Sequence, residues 1–179
     1  MIPTRHLALL RGVNVGGART LSMRELEDAF KTAGATTTAA VIQSGNVVFA
    51  SAHPEATCAA AATVLQAKFG FRPTIVLRSV KAWRAMVEAN PFAAAGAATE
   101  ALHVACLAAE PSVSLAARLD PQVFLPDQFA LAGADVYLKL PNGVAKANLT
   151  NARLDRAFAT VSTMRNWRTV LRLLERLEA

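Results

Sequence analysis

Apolar and polar positions recur with two different periods along this chain, and the changes of period mark its elements. A short apolar run over 6–10 has the length of a buried strand. A polar, glycine-rich stretch follows. Ser22 and Glu25 then stand at the spacing of a capping box, with Leu21 and Leu26 placed to close over it as a hydrophobic staple. Met23, Leu26, Phe30 and Ala33 recur on one helical face until Gly34 supplies a stop. Residues 38–42 and 46–50 read as two strands joined around Ser44-Gly45. Pro54 suits the first turn of a second helix, whose stripe is Cys58, Ala61, Leu65 and Phe69 and whose end is Gly70. A strand over 74–77 completes the order β-α-β-β-α-β, the ferredoxin-like split βαβ pattern, with an antiparallel sheet and both helices on one face.

Ser79 is placed to cap a further helix carrying Val80, Trp83 and Val87, which Asn90-Pro91 ends. Residues 93–99 are rich in alanine and glycine and read as a linker. The second half restarts with a strand over 102–107 and a short helix over 112–119, broken by Pro121 and Pro126. Residues 129–131 and 136–140 form a second hairpin around Gly133, followed by a helix over 149–158. Trp167, Val170, Leu171, Leu174 and Leu177 define the last helix, expected to begin with Arg165-Asn166-Trp167-Arg168. The hairpin segments Ile42-Gln-Ser-Gly-Asn-Val-Val-Phe49 and Leu131-Ala-Gly-Ala-Asp-Val-Tyr137 are loosely alike, which suggests a degenerate internal duplication. The expected fold class is therefore α+β, with two ferredoxin-like or partly ferredoxin-like subdomains. Residues 1–79 form the first, 80–100 a helix and linker, and 101–179 the second.

Composition narrows the class. At 53% hydrophobic and 18% charged, 179 residues can bury a real core. Every apolar run stops well short of the ~20 residues of a membrane span, and the first ten residues lack the apolar region of a signal peptide. A soluble, cytoplasmic protein is expected, with no membrane partner. Cys58 and Cys106 read as separate buried thiols, and His6, His53 and His103 show no metal-ligand spacing, so no metal site is expected. The net charge of +6 gathers at the chain ends. Arg5, Arg11 and Arg19 precede the first acidic residue, Glu25. From Lys146 onward, Arg153, Arg156, Arg165, Arg168, Arg172 and Arg176 face only Asp155, Glu175 and Glu178. This distribution fits an anionic partner and equally a solvated helix face.

Three polar clusters carry the candidate chemistry. Arg11-Gly12-Val13-Asn14-Val15-Gly16-Gly17 lies between a strand and a capped helix, where backbone amides can meet an anion, although it is neither G-x-G-x-x-G nor a Walker A loop. Gln43-Ser44-Gly45-Asn46 is the hairpin turn beside it in sequence order. Lys146, Asn151, Arg165, Asn166 and Arg168 gather near the starts of the last two helices, where arginines oppose the helix dipole unless an anion is bound. The same groups can instead cap helices or bond local backbone. No G-x-S-x-G elbow, activated cysteine or tight carboxylate pair is present, so catalytic residues and cofactor stay unassigned. The strand over 6–10 lacks aromatics and the third strand offers only Phe49, which argues against RNA bases stacking on the sheet.

Taken jointly, several segments resemble the bacterial domain of unknown function 1697 family. They are Leu9-Leu-Arg-Gly-Val-Asn-Val-Gly-Gly17, Ile42-Gln-Ser-Gly-Asn-Val-Val-Phe49, Asn90-Pro-Phe92, Leu102-His-Val104, Lys146 with Leu149-Thr-Asn151, and Thr163-Met-Arg-Asn-Trp-Arg-Thr169. The resemblance implies an α+β protein of two subdomains and supplies no activity, substrate or cofactor. The leading functional expectation is binding of a small anionic molecule, such as a phosphorylated metabolite or nucleotide. Arg11, Lys146, Arg165 and Arg168 would neutralise its charge. Asn14, Gly16, Gly17, Ser44, Asn46, Asn151 and Asn166 would orient it. A basic nucleic-acid-associated module and a ligand-free interaction domain are the alternatives, and the oligomeric state is left open.

Overall fold

The computed structural model describes residues 2–14, 21–42, 45–117 and 119–179. It divides into two compact units, Met1–Trp83 with Leu173–Ala179, and Arg84–Arg172. The first is built from β1 (Thr4–Leu10), α1 (Met23–Thr32), β2 (Thr37–Ala40), β3 (Asn46–Ser51), α2 (Pro54–Phe69) and β4 (Ile75–Ser79). Its sheet has the order β2-β3-β1-β4, with every neighbouring pair antiparallel. Helices α3 (Val80–Glu88) and α4 (Pro91–Ala94) and a 3-10 turn at Thr99–Ala101 follow. The second sheet comes from β5 (Leu102–Leu107), α5 (Val113–Ala116), β6 (Gln128–Ala132), β7 (Asp135–Lys139), α6 (Asn151–Phe158) and β8 (Ser162–Asn166), and α7 (Trp167–Glu178) ends the chain. Its order is β6-β7-β5-β8, again antiparallel throughout.

The local reasons for these elements are visible in the side chains. Ser22 Oγ accepts from Glu25 N at 3.2 Å while Glu25 Oε2 accepts from Ser22 N at 2.9 Å, so the capping box is complete. Gly70 ends α2 in the left-handed conformation. Ala8 and Leu10 of β1 face Leu26, Phe30, Ala61 and Leu65 of the helical layer. Leu7 and Leu9 point to the opposite face and are equally buried. Burial on both faces explains why β1 reads as a continuous apolar run rather than as an alternation. The second core repeats the scheme, with Ala105 and Leu107 of β5 against Leu149, Leu154 and Phe158.

The two units share more than strand order. In the first, His6 lies opposite Ser79, Leu7 opposite Arg78 and Leu10 opposite Ile75. In the second, His103 lies opposite Asn166, Val104 opposite Arg165 and Leu107 opposite Ser162. Ser79 Oγ accepts from Ala82 N, and Asn166 Oδ1 accepts from Thr169 N, each three residues on. Arg78 and Arg165 each donate Nη1 to the carbonyl of the preceding residue. Matching register, caps and arginines fit a duplicated sheet-and-helix unit.

Four sequence expectations are corrected. Arg165 and Asn166 belong to β8 and not to the last helix, which starts at Trp167. Ser-Thr-Met-Arg-Asn has a single apolar residue, so only its pairing with β5 makes it a strand. The helix expected over 112–119 is reduced to the four residues of α5, started by Ser112 Oγ accepting from Leu115 N. The segment 93–99 is not plain linker: it holds the end of α4, a turn with Gly96 at φ 75°, and the start of a 3-10 turn. The helix expected from 149 begins at Asn151, because Thr150 Oγ1 caps it through Arg153 N. Among the described residues, no helix is long and apolar enough to cross a membrane.

Candidate functional site

The structure brings two of the three polar clusters together. Leu10 N donates to Gly45 O at 2.8 Å, and a Cβ built on Gly45 would lie 3.1 Å from Leu10 Cβ and 3.3 Å from Val13 Cβ. Leu10 and Val13 therefore pack directly against Gly45. Arg11 is half-buried, with its backbone N–H on Thr74 O at 2.9 Å. Asn14 is left-handed at φ 56°; its Oδ1 accepts from Leu21 N at 2.6 Å and its Nδ2 donates to Leu21 O at 2.8 Å. Asn14 thus holds the main chain at Leu21 through two hydrogen bonds. Asn46 is fully buried and donates Nδ2 to Val41 O at 2.9 Å, bracing the turn. Ile42 holds φ 58°, a costly conformation for a β-branched residue. Gly16, Gly17 and Ser44, all proposed from the sequence, lie outside the described residues.

The remaining candidates belong to the second unit. Asn166 and Arg168 line a cavity of about 270 Å³ with Thr99, Glu100, His103, Gly143 and Val144. Asn166 is exposed at the end of β8, its Oδ1 turned to Thr169 N at 2.8 Å. Arg168, on the first turn of α7, donates Nη2 to Glu100 Oε1. Its charge near the positive helix end is therefore met by a carboxylate. The backbone N–H of Glu100 first, and Arg168 second, hold the Glu100 carboxyl below its usual range. His103 was not singled out as a site residue from the sequence. It is only 7% exposed, and burial depresses its pKa, partly opposed by a 3.5 Å contact of Nδ1 with Ala101 O. A neutral imidazole beside a guanidinium, a carboxylate and a side-chain amide can both donate and accept hydrogen bonds. The signal that could have found His103 is its register opposite Asn166, which the sequence does not display.

Three further candidates have structural settings. Arg165 is only 7% exposed on β8, with Nη1 on Thr163 Oγ1 at 2.7 Å and Met164 O at 2.8 Å, and burial pushes its pKa down to about 10. Asn151 starts α6 and its Oδ1 accepts from Ser162 Oγ at 3.1 Å. Lys146 is exposed at the end of the 3-10 turn Val144–Lys146, close in sequence to the cavity rim. The buried Asp127 positions the chain beyond it by accepting from Asn148 N at 2.7 Å. Both cysteines are free and buried, and burial raises the Cys58 thiol to about 12, far from a reactive thiolate. Among the described residues, no three His, Cys, Asp or Glu side chains are grouped to hold a metal ion.

Two antiparallel sheets of one strand order, each with its own helical layer and one bearing a small polar cavity, define an α+β protein of duplicated build. The family model described as "Protein of unknown function (DUF1697)" matches residues 4–137, and the chain belongs to that family. Among solved structures, the chain is similar to the conserved bacterial protein SP0830 of Streptococcus pneumoniae. The TM-score is 0.73 at 20% identity, with 99% of each chain covered. At that identity the likeness speaks for the fold alone. No curated protein matches the chain.

Proposed function

We propose that this protein is a cytoplasmic binder of a small anionic ligand, such as a phosphorylated metabolite or nucleotide, and that the ligand seats in the second-unit cavity. One observation carries the reading: Asn166 and Arg168 line the same 270 Å³ space as His103 and the Gly143 turn. Arg168 supplies charge, Asn166 an amide, and the neutral His103 a hydrogen-bond partner for a hydroxyl or a protonated phosphate oxygen. Glu100 competes for Arg168, so ligand binding exchanges one anionic partner for another. Thermal unfolding in inorganic phosphate, pyrophosphate or ADP, against chloride at matched ionic strength, tests this. Arg168→Ala should abolish the protection specific to one of these anions, and Glu100→Gln should enlarge it. Non-specific stabilisation by excluded anions acts on parent and variant alike, so equal shifts in both would sink the reading.

A second reading rests on the exposed Arg153, Arg156, Arg168 and Arg172 of α6 and α7, all in the second unit. These suit a phosphate backbone. Under that reading, affinity for a short single-stranded RNA falls steeply with salt and depends little on its sequence. Salt-independent or absent RNA binding removes it.

A further inference from the structure

One cavity of the first unit, about 430 Å³, is a groove between α2 and β4 that none of the site residues above enters. Its helical wall is made of small side chains, Cys58, Ala59 and Ala62, and its other wall of Ile75 and Leu77. β4 is an edge strand. Thr74 O faces β1, where it accepts from Arg11 N. Alternation along an antiparallel ladder then turns the backbone N–H and C=O groups of Ile75 and Leu77 outward, beside the groove. Arg78 Nη1 covers one of these, Leu77 O, at 3.0 Å.

Comparison with the duplicated unit shows that this opening is not a necessity of the topology. Ser162 of β8 occupies the position of Ile75. There Asp155 Oδ1, from α6, takes both Ser162 N at 2.7 Å and Ser162 Oγ at 2.6 Å, so the edge is sealed. In the first unit the same edge meets alanines instead.

The charges at the groove ends are opposite. Arg72 stands before β4, with Nη1 on Thr63 Oγ1 at 2.7 Å and Nη2 on Ala59 O at 3.4 Å. A guanidinium has five N–H donors, so further ones face solvent. Glu55, on the first turn of α2, is close enough to act on His6, which lies opposite Ser79 at the far end of β4. A strand running antiparallel to β4 would start at Glu55 and finish at Arg72.

We infer that the α2–β4 groove accepts the extended carboxyl-terminal segment of another protein as a fifth, antiparallel strand. Arg72 receives the terminal carboxylate, apolar side chains lie over Ala59 and Ala62, and Glu55 faces the amino-terminal, basic end of the segment. Main-chain bonds to the N–H and C=O of Ile75 and the N–H of Leu77, the groups that Arg78 leaves uncovered, supply affinity, and the groove supplies selectivity. This does not depend on the anion-binding reading.

The test selects from a random heptapeptide library displayed with free carboxyl termini, using the intact protein, with Ala59→Gln for counter-selection. Ala59 is exposed on α2, so glutamine fills the groove without entering the core. Enriched sequences are then synthesised as acid and as amide and measured by fluorescence anisotropy. The acid should bind about tenfold tighter than the amide, and Arg72→Ala should erase that difference, the scale of one charge-assisted hydrogen bond. Hydrogen exchange of the Ile75 and Leu77 amides should slow on binding. The inference is overturned if no peptide is enriched over the counter-selection, if acid and amide bind alike, or if those amides stay unprotected. Arg72→Ala reads the same question independently should Ala59→Gln fail to fold.

Discussion

Replacing Gly45 by alanine tests whether Leu10 and Val13 pack against the start of β3 at Gly45. Gly45 holds φ +73°, so any L side chain there is strained, at about 1 kcal/mol for alanine. Its Cβ would also stand 3.1 Å from Leu10 Cβ, 3.3 Å from Leu10 O and 3.3 Å from Val13 Cβ. Two of those neighbours are Cβ atoms bonded directly to the main chain and the third is backbone, so none can swing away as a flexible side-chain end would. Overpacking of this kind adds about 1–3 kcal/mol, for a total of about 2–4 kcal/mol. Gly70 is the internal control: it has φ +74° and nothing within 4 Å of a built Cβ, so Gly70→Ala should cost only the conformational part, about 1 kcal/mol. Urea denaturation followed by circular dichroism gives both values from the midpoints, provided the slopes are unchanged. If Gly45→Ala costs no more than Gly70→Ala, Leu10 and Val13 do not pack on Gly45 as described. The packing of Leu10 and Val13 against the Gly45–Asn46 corner would then lose its basis.

Three further outcomes are expected. Ser22→Ala removes the acceptor for Glu25 N and should cost about 1 kcal/mol, with an unchanged urea midpoint counting against the capping box. Tyr137→Phe deletes a buried phenolic hydroxyl that donates to Met86 O at 2.9 Å and should cost about 1–2 kcal/mol by the same measurement; a neutral substitution would mean that water replaces the bond. His6 and His103 both have pKa values lowered by burial from 6.5, so below that pH the unfolded chain binds more protons than the folded one. Stability therefore falls as pH drops below 6.5 and is unaffected by these groups above it, with a slope of at most about 1.4 kcal/mol per pH unit for each histidine. His103→Gln should flatten the dependence between pH 6.5 and 5, above the range where Glu25 and Glu100 lose their own contributions; parallel curves would remove His103 as a source.

What the sequence displays and what it hides separate along one line. Elements specified by local chemistry are legible. Ser22 with Glu25, the stripe Leu26–Phe30, and Gly70 after Phe69 announce α1 and the end of α2 directly. β8 is hidden because Ser162, Thr163, Arg165 and Asn166 are polar, and the strand exists through its pairing with β5. The candidate site divides the same way. Asn166 and Arg168 are legible from their place near a helix start, a local signal. Thr99, Glu100 and His103 lie more than sixty residues earlier and join them only through the β5–β8 register. Arg165 was misplaced for the same reason: without the strand, its charge looks like a helix-terminal one, whereas it is buried against Thr163 and Met164.

Duplication leaves the same device in two settings, and the difference between them is measurable. Arg78 and Arg165 occupy matching positions, and each folds back so that Nη1 covers the outward carbonyl of the preceding residue, Leu77 or Met164. Such a contact blunts an edge strand, since an unpaired carbonyl row is a template for another chain. Arg78 is half-buried, so water can take over Leu77 O when its side chain is removed. Arg165 is only 7% exposed and also donates to the buried Thr163 hydroxyl, so truncation there strands two acceptors away from water. Each buried orphan costs about 1–3 kcal/mol, which puts Arg165→Ala at about 2–6 kcal/mol, against less than about 1 kcal/mol for Arg78→Ala. Urea midpoints of the two variants decide it. Comparable losses would mean that burial does not set the worth of this contact, and that the two arginines owe their matching positions to something other than guarding the edge.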